Sequence, residues 1–255
     1  MHALRKALVR RPGARLAEGL VTHVERRPVD VELAAIQWAA YVAALEEGGW
    51  AAAEVSAIEG CPDSVFVEDT MVLHGGLAVI ARPGAQTRRP ELAAAEEAVR
   101  ALGYPVERIE APGTLDGGDV LATAGTVYVG VGGRTNTAGA RQLRELLETT
   151  VVEVPIAGVL HLKTAVTTLP DGSVVGYTPL VPHAFPGFGK TRFRPVPEPS
   201  GAQVVVLDER TLLLAADCPR SAELFAGLGY DAIMVDIGEF QKLEGCVTCL
   251  SVLSS

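Results

Sequence analysis

The chain has 255 residues, and its 48% hydrophobic and 21% charged composition is typical of a globular protein rather than a disordered one. Its formal net charge of -9 disfavours a surface for nucleic acid or for an anionic membrane, because both need a basic face, so we expect neither partner. No apolar run approaches the roughly 18 residues of a spanning helix, and the four cysteines do not make a disulfide scaffold, so we expect a soluble, cytoplasmic protein.

The predicted elements recur around tight turns. A strand at 7–10 precedes a helix capped by Asp30 and a second strand at 55–58. Four hairpins follow, with turn centres near residues 75, 125, 171 and 209. Three of the hairpins lead through a helix to another short strand.

The starts of these three helices, and the exception to the pattern, are also predicted. Pro90 opens the first helix, Thr137 caps the second and Pro219 opens the third. The third hairpin is followed instead by a stretch rich in Pro, Gly and Phe, 179–199, which we expect to be a loop.

The repeated unit is therefore strand, strand, helix, strand, and its period is typical of a solenoid or a propeller. The strand predicted at 247–253 has no hairpin partner after it, and the strand at 7–10 has none before it. Pairing tail with head completes a fifth unit, so we expect residues 1–255 to form one closed domain. An ordinary open α/β sheet is the competing interpretation, but it leaves this head-to-tail match unexplained.

Reactive side chains lie on or beside the first strand of several units. They are Glu68 and Asp69, Asp116 and Asp119, His161, and Cys249. Each alone has an ordinary explanation, as a turn aspartate, a core histidine or an inert buried thiol. At equivalent places in a repeat whose first strands converge, together they indicate a shared site.

The chemistry of this set suits a fixed cation. Cys249 and His161 form a nucleophile with an acid–base partner, and the carboxylates can pair with a planar guanidinium. Arg88 and Arg134 follow two of the hairpins and can hold a carboxylate at the other end of the same molecule. A small substrate similar to arginine is therefore predicted.

Cys246 and Cys249 form a Cys-x-x-Cys pair that can also indicate a zinc site or a redox pair. We disfavour both, because the chain has no second pair of zinc ligands and no helix follows the motif. At an odd spacing on one strand the two thiols should face opposite sides, with Cys249 in the site and Cys246 in the packing.

Over nearly its whole length the chain resembles the dimethylarginine dimethylaminohydrolases of the pentein, or guanidino-group-modifying, superfamily. The resemblance depends on the segment 62–70, Arg82-Pro83-Gly84-Ala85, Leu115-Asp116-Gly117-Gly118-Asp119, Gly133-Arg134-Thr135-Asn136, His161-Leu162-Lys163 and Thr248-Cys249-Leu250-Ser251. It implies a five-bladed pseudosymmetric α/β-propeller, monomeric or homodimeric, with no cofactor and no metal. It also implies hydrolysis of dimethylarginine or monomethylarginine to citrulline and a methylamine.

The resemblance further implies a role for each site residue. Cys249 attacks the guanidinium carbon to give a covalent thiouronium, His161 protonates the leaving amine and then activates water, and Asp116 orients His161. In the implied substrate contacts, Asp69 binds the guanidinium nitrogens and Glu68 lies near the methylated end. Arg88 and Arg134 hold the α-carboxylate, and Asp63 holds the α-ammonium. Leu20 and Leu243 offer backbone carbonyls, and Phe66 lines the substrate stem.

Two alternatives remain. Arginine deiminases and related guanidino-modifying enzymes resemble the chain in fold, but they carry His-x-Asp where this sequence has His161-Leu162-Lys163. The second alternative is a non-catalytic propeller that only binds a partner. Such a protein would lack the set of cysteine, histidine and acidic residues.

Overall fold

The computed structural model describes residues 5–123, 125–181 and 193–254, and within them fifteen strands form five three-stranded sheets. The strands are β1 (Lys6–Val9), β2 (Ala51–Glu54), β3 (Met71–His74), β4 (Leu77–Ile80), β5 (Val106–Arg108), β6 (Val120–Thr123), β7 (Thr126–Val131), β8 (Val151–Pro155), β9 (Val166–Thr168), β10 (Val174–Gly176), β11 (Phe193–Pro195), β12 (Val205–Val206), β13 (Thr211–Ala215), β14 (Asp231–Val235) and β15 (Ser251–Ser254). The α-helices are α1 (Val31–Glu47), α2 (Leu92–Ala101), α3 (Thr137–Leu147), α4 (Leu162–Ala165), α5 (Pro219–Gly227) and α6 (Gly238–Gln241).

Each sheet has the same pairing: a first strand antiparallel to a second, which is parallel to a third. Tight turns make the antiparallel pairs, as at Gly75 and Gly76, whose φ angles of 57° and 82° suit a two-residue hairpin turn. A parallel pair needs a longer crossover, which α1, α2, α3 and α5 supply in four of the five sheets. The predicted five-bladed α/β-propeller is confirmed.

The predicted pairing of tail with head is also confirmed. Strand β15 lies antiparallel to β1, with Ser251 opposite Val9 and Ser254 opposite Lys6. The Tyr41 hydroxyl on α1 donates to the carbonyl of Val247 over 2.7 Å and lies 2.7 Å from the Ser251 hydroxyl. The tail is therefore fixed both by the ladder and by a buried side chain.

Two of the predicted helix starts are correct and two are wrong. Asp30 caps α1 by accepting from the Leu33 amide, and Pro219 is the first residue of α5. Pro90, however, lies inside a 3₁₀ turn at Gln86–Glu91, and α2 begins only at Leu92. The cap of α3 is Asn136 rather than Thr137, because the Asn136 amide oxygen accepts from the Gly139 amide over 2.8 Å.

Two predicted strand positions also need correction. The second strand of the first unit, predicted at 55–58, is β2 at Ala51–Glu54, whose alanine-rich sequence carries little strand signal. The predicted loop 179–199 contains β11, which pairs parallel with β10; residues 182–192 of that prediction lie outside the described residues.

A short helical turn precedes the first strand of every sheet. These turns are Val67–Thr70, Gly117–Asp119, α4, Pro199–Ala202 and Thr248–Leu250. The reactive residues were predicted on or beside the first strands, and most of them lie on or beside these turns, each of which leads into a first strand. The strand predicted at 247–253 therefore begins only at Ser251, after the turn that carries Cys249. Gly117 allows two of the turns to pack, since a Cβ atom there would lie 2.1 Å from the carbonyl oxygen of Glu68.

The hydrophobic core lies between the sheets and the outer helices, with Tyr41 on α1, Leu143 on α3 and Phe225 on α5 fully buried. In the described parts of the chain, no helix is long and apolar enough to cross a membrane.

Candidate active site

One cavity is lined by Asp69 of the first of these helical turns, by Cys249 of the last, and by His161, which immediately precedes α4. Nine of the eleven predicted site residues line it. The lining residues are Leu20, Asp63, Phe66, Asp69, Arg88, Leu160, Arg134, His161, Leu243, Glu244, Gly245 and Cys249. Of the two predicted residues outside this lining, Asp116 is hydrogen-bonded to His161, and Glu68 faces a different cavity.

His161 lies between two carboxylates. Its Nε2 atom is 3.1 Å from Oδ2 of Asp116, and its Nδ1 atom is 3.6 Å from Oδ1 of Asp69. Burial alone would lower the pKa of His161, but the charge of Asp69 and the hydrogen bond to Asp116 raise it to about 10. The imidazole is therefore protonated at neutral pH and can act as an acid.

Gly118 leaves the space that the His161 ring occupies. A Cβ atom at this position would lie 2.6 Å from Nδ1 of His161 and 2.7 Å from Oδ1 of Asp69. The Gly118 amide also donates to the same Asp69 oxygen over 3.1 Å. Glycine at this position therefore sets the distance between the histidine and the carboxylate.

Asp116 and Asp119 connect the turns on which the site is built. The Asp116 carboxylate accepts from the Gly84 amide over 3.0 Å, and its own amide donates to Oγ1 of Thr135 over 3.1 Å. Thr135 donates in turn to Asp119 over 2.6 Å, and Asp119 accepts from the Leu162 amide over 3.0 Å. Burial raises the pKa of Asp119 to about 6. Asp119 thus holds the residue next to His161 rather than merely closing a turn.

Cys249 presents its thiol to the cavity with 8% of its surface exposed. Its Sγ atom lies 3.1 Å from Sγ of Cys246. The hydrogen bond to Cys246, burial and the nearby charge of Glu68 raise the pKa of Cys249 well above its ordinary value. Without a cation in the cavity, the thiol is therefore poorly ionised at neutral pH.

The contact between Cys246 and Cys249 corrects the prediction that these thiols face opposite sides. The Cys249 amide donates to the carbonyl of Cys246 over 3.1 Å, and the chain makes a helical turn between them. Residues three apart share a face of a helical turn, whereas the alternation used for the prediction applies to strands.

Arg88 is buried in the cavity wall, and most of its N–H groups have partners there. It donates to Asp69 over 2.5 Å, to both carboxylate oxygens of Glu91 over 3.0 and 2.9 Å, and to the carbonyls of Asp63 and Phe66. Burial raises the pKa of Asp69, but the charges of His161 and Arg88 lower it, so that it stays below its usual value. Arg88 therefore keeps Asp69 ionised and fixed in position.

Arg134 has fewer partners than Arg88. Its guanidinium donates to the Thr22 hydroxyl over 3.3 Å at the edge of the cavity. Asp63, which also lines the cavity, accepts from the Leu20 amide over 2.9 Å, and burial raises its pKa. The cavity lining therefore also contains a cationic and an anionic group besides those that surround His161.

The structure does not bring Glu68 into the cavity that Cys249 lines. Its carboxylate accepts from Lys163 Nζ over 2.6 Å and from the Thr248 hydroxyl over 3.2 Å. It faces a second cavity of about 380 Å³ between the first strands of the sheets. Burial raises the pKa of Glu68 despite the neighbouring Lys163.

Sequence reasoning missed Leu160, Glu244 and Gly245. The Glu244 carboxylate accepts from the amides of Thr22 and His23 over 2.5 and 2.7 Å, which ties that segment to the cavity edge. Gly245 permits contact with Phe66, since a Cβ atom there would lie 2.3 Å from the ring. In the structure Glu244 has a positive φ of 62°, typical of a turn. No signal in the sequence indicates that its carboxylate binds the amides of Thr22 and His23.

Asp69, Asp116 and His161 are the one group among the described residues whose atoms could hold a metal ion, since their ligand atoms lie within 4.8 Å of one another. Both carboxylates already accept N–H groups: Asp69 from Arg88 and Gly118, and Asp116 from Gly84. This set fits a protonated imidazole better than a metal ion, which would meet the charge of Arg88.

The arrangement combines a thiol, an imidazolium and carboxylates around a small cavity. A thiolate can attack a carbon, an imidazolium can protonate a leaving group, and the carboxylates can fix a cation between them. Covalent chemistry on a cationic substrate is what this geometry can perform.

Comparison with known proteins supports the same chemistry. The chain is 60% identical to N(G),N(G)-dimethylarginine dimethylaminohydrolase of Streptomyces coelicolor, covering 97% of this chain and 96% of that protein. It is 36% identical to the enzyme of the same name from Pseudomonas aeruginosa, covering 96% and 97%. No family model matches the chain.

Solved structures agree. A cysteine-to-serine mutant of the Pseudomonas aeruginosa enzyme in complex with citrulline superposes with a TM-score of 0.91 at 34% identity, covering 99% of this chain and all of that one. The product-bound N-terminal domain of ArgZ, a cyanobacterial arginine dihydrolase, gives a TM-score of 0.90 at 19% identity over 99% of this chain and 98% of that one, a likeness of fold alone.

Proposed function

The chain belongs to the dimethylarginine dimethylaminohydrolase family of the pentein superfamily, and we propose that it hydrolyses Nω-methylated arginine to citrulline and a methylamine. The observation that carries the proposal is the placement of Cys249, His161 and Asp69 around one cavity. A nucleophile, a protonated acid and a carboxylate for the cation are then all within reach of one guanidinium.

The polar groups of the cavity match the two ends of an amino acid with a guanidinium. Asp69 pairs with the guanidinium, which places its central carbon beside Cys249. Arg134, which lines the same cavity, binds the α-carboxylate, and Asp63, which also lines it, binds the α-ammonium. The backbone carbonyls of Leu20 and Leu243 complete the contacts to the ammonium, and the Phe66 ring lines the methylene stem.

Substrate binding also prepares the nucleophile. The pKa of Cys249 is raised in the free protein, and a guanidinium cation next to the sulfur stabilises the thiolate, so the thiol proton is lost to solvent when substrate binds. The thiolate attacks the guanidinium carbon, and His161 gives its proton to the departing methylamine as the C–N bond breaks. A covalent thiouronium on Cys249 remains.

Hydrolysis completes the cycle. His161, now neutral, takes a proton from water, whose oxygen attacks the thiouronium carbon. The C–S bond breaks as the hydroxyl proton of the intermediate passes to the Cys249 sulfur, citrulline leaves, and the site again holds a protonated His161 and a Cys249 thiol. Asp116 holds His161 in orientation through both protonation states, over 3.1 Å.

The contacts of Arg88 and Glu68 change the roles that the family resemblance implies for these two residues. Arg88 acts chiefly by fixing Asp69, since its N–H groups are mostly taken, so Arg134 carries the larger share of carboxylate binding. Glu68 acts on the reacting end of the substrate indirectly, through its hydrogen bond from Thr248, the residue before Cys249.

The Lys163–Glu68 pair favours this reaction over arginine deiminase activity. Deiminases carry an aspartate where Lys163 lies, and here Lys163 Nζ is 2.6 Å from the Glu68 carboxylate and supplies no second acceptor for an unmethylated guanidinium. We also propose a cytoplasmic protein that folds as one domain, in keeping with four free buried cysteines and with the pairing of β1 and β15 in one ring.

The test is citrulline formation from dimethylarginine, monomethylarginine and arginine in parallel, with the Cys249→Ser protein as the control. We expect turnover of the methylated substrates to exceed that of arginine and to disappear in the variant, whose near-isosteric serine preserves the fold. Equal or faster turnover of arginine would establish a deiminase. No citrulline from any of the three, with Cys249 reduced, would indicate a binding protein.

A further inference from the structure

Cys246 and Cys249 are two thiols in direct contact beside the substrate cavity. Their Sγ atoms are 3.1 Å apart, and the Thr248 hydroxyl lies 3.2 Å from Sγ of Cys246. The catalytic cycle proposed above uses Cys249 and gives Cys246 no part. A second thiol at this distance from a nucleophile therefore needs its own explanation.

The backbone already holds the two cysteines in a geometry that a disulfide can adopt. The hydrogen bond from the Cys249 amide to the Cys246 carbonyl closes a turn, which keeps the two Cα atoms within about 7 Å. A disulfide joins Cα atoms about 4.4–6.8 Å apart. Bond formation therefore needs only a small approach of two sulfurs that already touch.

The two thiols differ in access. Cys249 lines the cavity, whereas Cys246 lies behind it with 3% of its surface exposed. A small oxidant that enters by the substrate route meets Cys249 first. The hydrogen bond from Cys249 lowers the pKa of Cys246, despite its burial.

We propose that Cys246 is the resolving thiol of a redox modification site whose other half is the nucleophile Cys249. In the fraction of the protein in which Cys249 is ionised, its thiolate attacks one oxygen of a hydroperoxide and the O–O bond breaks. The departing oxygen takes a proton from solvent and leaves as an alcohol or water, and a sulfenic acid remains on Cys249. Cys246 then attacks that sulfur, the S–O bond breaks, and water leaves with the thiol proton. Two thiols are oxidised to one disulfide, and one peroxide is reduced.

The consequence, which depends on the proposed function, is reversible inactivation. The disulfide occupies the sulfur that attacks the guanidinium, so turnover stops. It also removes the sulfenic acid before further peroxide can convert it to an irreversible sulfinic acid. A dithiol reductant restores both thiols by exchange.

Cys61 and Cys218 provide an internal comparison. Each thiol contacts a backbone carbonyl, that of Thr87 over 3.6 Å and that of Ala215 over 3.1 Å respectively. Cys218 is fully buried, with 0% of its surface exposed, so a dissolved oxidant does not reach its sulfur. We therefore expect oxidation to be confined to the Cys246–Cys249 pair.

The sequence allows a direct assay of this pair. Cleavage after Lys242 releases residues 243–255, which contain Cys246 and Cys249 and no other cysteine. The reduced protein is treated with hydrogen peroxide, blocked with an alkylating agent, digested and analysed by mass spectrometry. We expect this peptide to lose two hydrogens, about 2 Da, and to escape alkylation.

Activity is followed on the same samples, each relative to its own untreated protein. The native protein should lose activity with disulfide formation and regain nearly all of it with dithiothreitol. Cys246→Ser, and Cys246→Ala as a second variant, should instead gain oxygen atoms on Cys249 and stay inactive after reduction. Cys218→Ser should behave as the native protein does.

Addition of oxygen to Cys249 in the native protein without a disulfide would overturn the proposal, as would full recovery of both Cys246 variants. The peptide mass is read without substrate. If peroxide forms the disulfide but the fully reduced protein makes no citrulline, the modification site is supported and the proposed function is contradicted.

Discussion

Nε2 of His161 lies 3.1 Å from Oδ2 of Asp116, in a pocket where both side chains are almost fully buried. Together with the charge of Asp69 on the other side of the ring, this contact outweighs burial and raises the pKa of His161 to about 10 from an ordinary 6.5. The protonated ring therefore stabilises the fold fully below pH 6.5, and this contribution is lost as the pH rises through 10.

Replacing Asp116 should lower the pKa of His161 and weaken its function as an acid. For Asp116→Asn we expect kcat/KM to fall on the order of 100-fold or more, the range of general acid–base catalysis, and the alkaline limit of activity to move to lower pH. A pH profile of citrulline formation and an NMR titration of His161 measure the two effects. Asp231→Asn, at an exposed position, should change neither.

Replacing Arg134 should harm binding of substrates that have a carboxylate. A charge-assisted hydrogen bond contributes about 1.5–3 kcal/mol, so Arg134→Ala should raise KM roughly tenfold or more while kcat changes less. A methylated guanidine that lacks the α-carboxylate serves as the control, and its weaker turnover should be the same in both proteins. An unchanged KM for dimethylarginine would show that another group binds the carboxylate.

Replacing Arg88 should destabilise the whole protein. Arg88→Ala leaves Asp69 and Glu91 buried without their main cation, and breaking a buried pair costs about 3–5 kcal/mol. Chemical denaturation should show this loss in the free energy of unfolding. Arg15→Ala, which breaks the exposed pair with Glu18, should leave the unfolding midpoint unchanged. A stable Arg88→Ala protein with raised KM would mean that Arg88 acts mainly on substrate.

Adding one methyl group at Gly118 should displace His161. The new Cβ atom in Gly118→Ala would lie 2.6 Å from Nδ1 of His161, so either the ring or the turn must move. We expect activity to fall at least tenfold and stability by about 1–3 kcal/mol, the cost of overpacking. Gly13→Ala meets no atom within 4 Å and should be neutral in both assays. Full activity in Gly118→Ala would show that the site tolerates a shifted histidine.

The sequence predicted the parts of the fold and the site that depend on repetition. The hairpins recur, so the ring and the convergence of Cys249, His161 and Asp69 could be inferred from their equivalent places. Strand β2 was misplaced because its alanines favour no particular structure, and only the ladder with β1 decides its position.

What the sequence could not show depends on local turns and on distant partners. A helical turn replaces the expected strand at Thr248–Leu250, and that change alone turns Cys246 toward Cys249. The partners of Arg88 could not be predicted. The sequence indicates only an acidic residue at a helix start for Glu91, and it is the 3₁₀ turn before α2 that directs the Glu91 carboxylate into the interior, toward Arg88. Glu244 was missed since its carboxylate contacts amides more than 200 residues away, at Thr22 and His23.

The bond from Tyr41 to Val247 spans 206 residues, and the ladder of β1 with β15 spans more. Contacts of such sequence separation form only after a large loop has closed, so they slow folding relative to a protein built from local contacts. The other four sheets each pair strands that are near in sequence and need no such closure. We expect refolding in which these sheets form first and catalytic activity returns last, with the slowest phase, because the nucleophile is positioned only when the ring closes.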